Sequence, residues 1–78
     1  MKAEKYVITA EGTPEPLKLV RWGFGAAGEE IQKLLTDMNV KLVRIEVSGL
    51  NKFAVFGRDK IWRLLDIKQK IKGLTAVD

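Results

Sequence analysis

The segment Glu29-Glu30-Ile31-Gln32-Lys33-Leu34-Leu35-Thr36-Asp37-Met38-Asn39-Val40-Lys41-Leu42-Val43-Arg44-Ile45-Glu46-Val47 changes its hydrophobic period half-way along, and that change decides the fold class. In the first half, Ile31, Leu34, Leu35 and Met38 fall at i, i+3, i+4 and i+7, the single stripe of an amphipathic helix. Glu29 and Glu30 stand in the first turn of this helix, where negative charge complements the dipole, and Asn39 suits its end because it tolerates left-handed backbone. In the second half, Val40 to Val47 reads as a strand in which Val43, Ile45 and Val47 share one face and Arg44 and Glu46 the other. Such alternation belongs to a half-buried antiparallel sheet, whereas a central parallel strand would be apolar throughout.

Toward the C-terminus, Ser48-Gly49-Leu50-Asn51 turns the chain into a strand over Lys52-Phe53-Ala54-Val55-Phe56, which Gly57 ends. A second helix is expected from about Arg58 to Lys72, closed by Gly73, with Ile61, Leu64, Leu65, Ile67 and Ile71 on its apolar arc. Toward the N-terminus, Glu4 to Ala10 and Leu17 to Trp22 are rich in β-branched and aromatic residues and read as a hairpin of two strands. The six residues between them, Glu11-Gly12-Thr13-Pro14-Glu15-Pro16, hold two prolines and a glycine and are neither helix nor central strand. The order is β-β-α-β-β-α. It predicts one α+β domain over residues 1–78, a four-stranded, mainly antiparallel sheet with two helices packed on one face. A weak internal repeat accompanies it: Ile31-Gln32-Lys33-Leu34-Leu35 matches Ile61-Trp62-Arg63-Leu64-Leu65, so that residues of about 4–38 and 41–73 form two ββα units. The expected core is Ile31, Leu34, Leu35, Val43, Ile45, Val47, Phe53, Val55, Ile61, Leu64 and Leu65.

Composition removes most chemistries. The 78 residues are 46% hydrophobic and 31% charged, the mixture of an ordinary globule. With no cysteine, disulfide scaffolds, thiol catalysis and iron–sulfur sites are excluded, and with no histidine the commonest general base and metal ligand are missing. Glu29 and Glu30, adjacent on a helix, point about 100° apart and make no acid/base pair. The hydroxyls of Thr9, Thr13, Thr36, Ser48 and Thr75 have no histidine to activate them. The expectation is a non-enzymatic protein with no cofactor and no metal. Its polar start, Met1-Lys2-Ala3-Glu4-Lys5, does not read as a signal peptide, and no apolar run approaches the roughly 20 residues that span a bilayer. A cytoplasmic protein without membrane contact is expected.

Gly23-Phe24-Gly25-Ala26-Ala27-Gly28 matches G-x-G-x-x-G after a predicted strand, the outline of a dinucleotide-binding turn. Three features argue against a nucleotide there. Arg21 would lie inside a buried parallel strand, too few elements remain for a second nucleotide half, and Glu29 and Glu30 would repel the phosphates. The stretch is read instead as a glycine-punctuated bend before the first helix.

Charge carries the functional expectation. Lys+Arg 14 against Asp+Glu 10 gives +4. Between Arg58 and Lys72 lie six cations (Arg58, Lys60, Arg63, Lys68, Lys70, Lys72) and two anions (Asp59, Asp66), so the whole excess sits on the second helix. A positive helix suits contact with phosphates, and Trp62, outside the apolar arc, is placed to stack or to anchor a partner. The candidate binding residues are therefore Arg58, Lys60, Trp62, Arg63, Lys68 and Lys70. The partner is nucleic acid, DNA or RNA, or else an acidic protein surface docked on the same helix. A small core and two open sheet edges also predict a homodimer.

Overall fold

The computed structural model describes residues 4–12, 17–38 and 40–75. The expectations placed on Asn39 and on Thr13 to Pro16 lie outside those residues. Six elements follow in the expected order: β1 (Lys5–Glu11), β2 (Leu17–Trp22), α1 (Phe24–Thr36), β3 (Leu42–Val47), β4 (Phe53–Gly57) and α2 (Leu64–Leu74). The strands form one antiparallel sheet in the order β2-β1-β3-β4. The domain is α+β, as the mixed periods imply.

Registry determines which side chains meet the helices. Tyr6, Ile8 and Ala10 of β1 stand opposite Val47, Ile45 and Val43 of β3, and Ala54 and Phe56 of β4 continue the same face. All eight are buried, together with Ala27, Ile31, Leu34 and Leu35 of α1 and Ile67 and Ile71 of α2. The helices run antiparallel, with Phe24 beside Lys72 and Gly28 beside Lys68.

Three expectations are corrected. First, α1 begins at Phe24, so the glycine-rich stretch is its first turns, not a bend; Glu29 and Glu30 lie beyond the first turn, and Met38 lies past the helix end and is exposed. Ala26 and Ala27 are strong helix formers that offset part of the cost of Gly25 and Gly28, and Ala27 is buried in the core.

Second, β4 carries the opposite face inward. Phe53 is 54% exposed and Val55 is exposed, whereas Ala54 and Phe56 are buried. The strand is apolar on both faces, so alternation could not choose between them. Pairing with β3 chooses, because Ala54 lies opposite Ile45 and Phe56 opposite Val43.

Third, α2 begins at Leu64, not Arg58. Ile61 is 91% exposed outside the helix and Leu65 is exposed on its surface, neither in the core, while Leu64 is half-buried. The stripe that packs is Leu64, Ile67, Ile71 and Leu74. Helix from Arg58 would have turned Trp62 toward Asp66 and Gln69, into water. The extended path before Leu64 instead lays its ring edge-to-face on Phe56, centroids 4.9 Å apart, and its indole N–H donates to Gly57 O at 3.1 Å. An edge-to-face pair alone contributes about 0.5–1.5 kcal/mol beyond area burial. Helix propensity contributes only a few tenths of a kcal/mol per residue, so packing wins.

The end of α2 is tied back to β1. Thr75 Oγ1 donates to Lys72 O at 3.2 Å, and the same hydroxyl is a hydrogen-bonding neighbour of the buried Tyr6 phenol. Burial pushes the Tyr6 phenol above its usual 10.0, the Thr75 hydrogen bond opposing and nearby Glu4 adding to the rise. A raised folded value means the fold retains the proton longer than the unfolded chain. The stability from this group is thus complete below pH 10 and is lost as pH rises through the folded pKa. Tyr6→Phe should flatten the alkaline limb of a melting-temperature profile while costing stability near neutrality, which a thermal series across that range measures.

Candidate functional site

The cations of the C-terminal third divide between two flanks. Residues 68 and 70 are about 200° apart on a helix, hence on opposite sides. Lys68 leans on α1, its Cγ 2.8 Å from where a Cβ on Gly28 would stand, and Lys72 follows it, with Nζ 5.9 Å from the Phe24 ring centroid. Lys70 turns to the sheet and donates from Nζ to Val55 O at 3.2 Å. The same Nζ lies 4.9 Å from the centroid of Trp62 and 5.1 Å from that of Phe56.

Lys60 reaches Trp62 as well, from the loop between β4 and α2, with Nζ 4.3 Å from the centroid. A tryptophan face attracts cations through its quadrupole, so Trp62 gathers two ammonium groups from separate elements. Arg58 stands on the turn just after β4, its N–H donating to Lys41 O at 3.1 Å. Arg63 is drawn off into an exposed i,i+3 pair with Asp66 at 3.5 Å.

Of the six candidates, then, the structure brings Lys60, Trp62 and Lys70 together, sets Arg58 beside them, pairs Arg63 with an anion and places Lys68 on the far flank. Trp62 is not the free stacking ring expected of it. It is half-buried against the core with its N–H satisfied, and it holds cations in place.

A cavity of about 180 Å³ adjoins this cluster, lined by Gln32, Leu35, Thr36, Arg58, Lys60, Ile61 and Trp62. Ile61 projects at its rim. A second, more open hollow of about 310 Å³ lies between Glu11, Lys41, Leu42, Gly57, Arg58 and Asp59. Sequence reading missed Lys41 because only the β3–β4 pairing carries it to Arg58. It missed Ile61 as a surface group because an isoleucine three residues before Leu64 fits a helical stripe.

The glycine stretch is explained by packing. The sheet is antiparallel throughout, so the parallel setting a dinucleotide turn requires is absent among the described residues. Gly23 takes φ +84°, a left-handed conformation that disfavours side chains, at the corner from β2 into α1. Gly28 lets Lys68 cross α1. Gly28→Leu should force the helices apart and cost about 1–3 kcal/mol, the usual penalty of overpacking, read as a lowered denaturant midpoint. Glu30 faces back to Arg21 at 3.1 Å, an ion pair rather than an obstacle to phosphate.

Among the described residues, no three carboxylates gather as a metal site would require, and no helix is long and apolar enough to cross a membrane. Comparison with known protein families, with curated proteins and with solved structures finds no match for the chain.

Proposed function

We propose that the protein is a small binding protein that docks the phosphate backbone of a nucleic acid on the surface where the β4–α2 loop meets α2. The observation that carries this reading is the convergence of Lys60 and Lys70 on one Trp62 ring, at 4.3 and 4.9 Å. Each ammonium keeps donors for an incoming anion, and Arg58 extends the row along the turn. Holding two flexible lysines on a rigid ring lowers the entropy lost when they engage phosphates. Contact is with backbone rather than bases, since Trp62 is committed to Phe56, so binding should be tolerant of sequence.

The test is fluorescence anisotropy with labelled single- and double-stranded oligonucleotides across a salt series. Binding that weakens with salt, by a log–log slope of about 0.9 per duplex phosphate contacted, and that ignores sequence is expected. No binding at low salt refutes the reading.

An acidic protein surface is the second reading, favoured by Ile61 at 91% exposure on the rim of the smaller cavity and by Leu65 at 65% in the first turn of α2. Apolar anchors ringed by cations suit a protein groove with an acidic rim. Ile61→Ser with Leu65→Ser would abolish such docking and leave oligonucleotide affinity unchanged.

A further inference from the structure

The sheet face turned away from the helices carries most of its exposed apolar groups on the edge strands β2 and β4 and most of its charge on β1 and β3 between them. Val20, Trp22, Phe53 and Val55 are exposed on it, and Val7 is half-buried. Registry arranges them in rows. Val20, Val7, Glu46 and Phe53 form one, and Lys18, Thr9, Arg44 and Val55 form the next. Lys5 and Glu11 occupy the two ends of β1 on the same face. Arg44 joins the rows, with its guanidinium 4.4 Å from the Phe53 centroid and 3.2 Å from Glu46.

We propose that this face is a self-association surface whose occupant is a second copy of the chain. The two-fold axis lies between the two sheets and crosses the strands along the Ile8–Leu19–Ile45–Ala54 row. Such an axis keeps strand order and reverses strand direction. It sets Lys5 against Glu11 of the second copy, Arg44 against Glu46 of the second copy, and Phe53 against Val55 of the second copy. Every charge on the two central strands thereby meets its opposite, twice over by symmetry. An axis parallel to the strands would instead press Glu46 on Val7, leaving a carboxylate facing hydrocarbon.

Other occupants fit less well. The face carries Lys5, Lys18 and Arg44 against Glu11 and Glu46, with Arg44 paired to Glu46 in the middle, so a polyanion meets no excess of positive charge at the centre. Pairing through the β4 edge is obstructed, because Val55 O and Gly57 O already accept from Lys70 and Trp62. Spacings of about 4.8 Å between strands and 3.3 Å per residue give a footprint of about 400 Å². Stable interfaces bury about 800 Å² of accessible surface per partner, so association is reversible and rises with concentration. It leaves the Lys60–Trp62–Lys70 surface free on the helical side.

Sedimentation velocity over a concentration series tests this. Wild type should pass from monomer to dimer. Arg44→Glu should weaken the dimer by more than about tenfold, since two like-charge contacts appear in each pair. Phe53→Ser should do the same. Lys5→Glu and Glu11→Lys should each weaken self-association, yet an equimolar mixture of the two should form a heterodimer, because opposite charges again face each other. The exposed positions leave the fold intact, as circular dichroism would verify. A wild type that stays monomeric at its highest soluble concentration overturns the proposal, as does a mixture no more associated than its components. If the monomer loses oligonucleotide affinity on Phe53→Ser, the face belongs to nucleic acid instead.

Discussion

Phe56→Ala should remove a large part of the stability of the fold. Phe56 is fully buried, packs edge-to-face with Trp62 and sits in the β4 row that meets Val43. Truncating a buried phenylalanine costs about 3–5 kcal/mol, and a domain of this length has roughly 4–12 kcal/mol in all at the usual stability per residue. Near the melting point, 1 kcal/mol corresponds to about 4–8 °C for domains of this size, so a fall of more than about 12 °C is expected. Trp62 fluorescence should shift to the red, since the ring loses the surface it rests on. Phe53→Ala, three residues earlier on the exposed face, should cost less than about 1 kcal/mol. The reverse ranking would mean that β4 presents its other face to the helices.

The second large effect concerns binding. With Lys60→Glu and Lys70→Glu combined, oligonucleotide affinity at about 0.1 M salt should fall by about a hundredfold, since each phosphate contact contributes nearly tenfold there by counterion release. The salt slope should flatten by about 1.8, two contacts' worth. Lys68→Glu makes the same change in charge as either single variant but lies against α1, so it should weaken binding several-fold less than Lys70→Glu. Equal effects at 68 and 70 would show that net charge alone governs the interaction. Lys70→Gln, which retains a donor for Val55 O, separates loss of charge from loss of the strand contact.

The four strands and the order of elements along the chain were legible because local signals agreed there. Strict alternation through Val43, Arg44, Ile45, Glu46 and Val47 permits one face inward, and the Ile31, Leu34, Leu35 stripe permits one helical face. The location of the positive charge was equally plain, being a matter of counting. Packing decided the rest. β4 is apolar on both faces, so its inward face depends on the partner across the ladder, where Ala54 and Phe56 meet Ile45 and Val43. The start of α2 depends on Trp62, whose burial on Phe56 outweighs six residues of helix. That choice moves Ile61 from the expected core to the surface and brings Lys60 and Lys70 to one ring. Periodicity reports how a segment divides its own side chains between faces. Which face is covered, and which cations meet, is set by contacts between segments far apart in the chain.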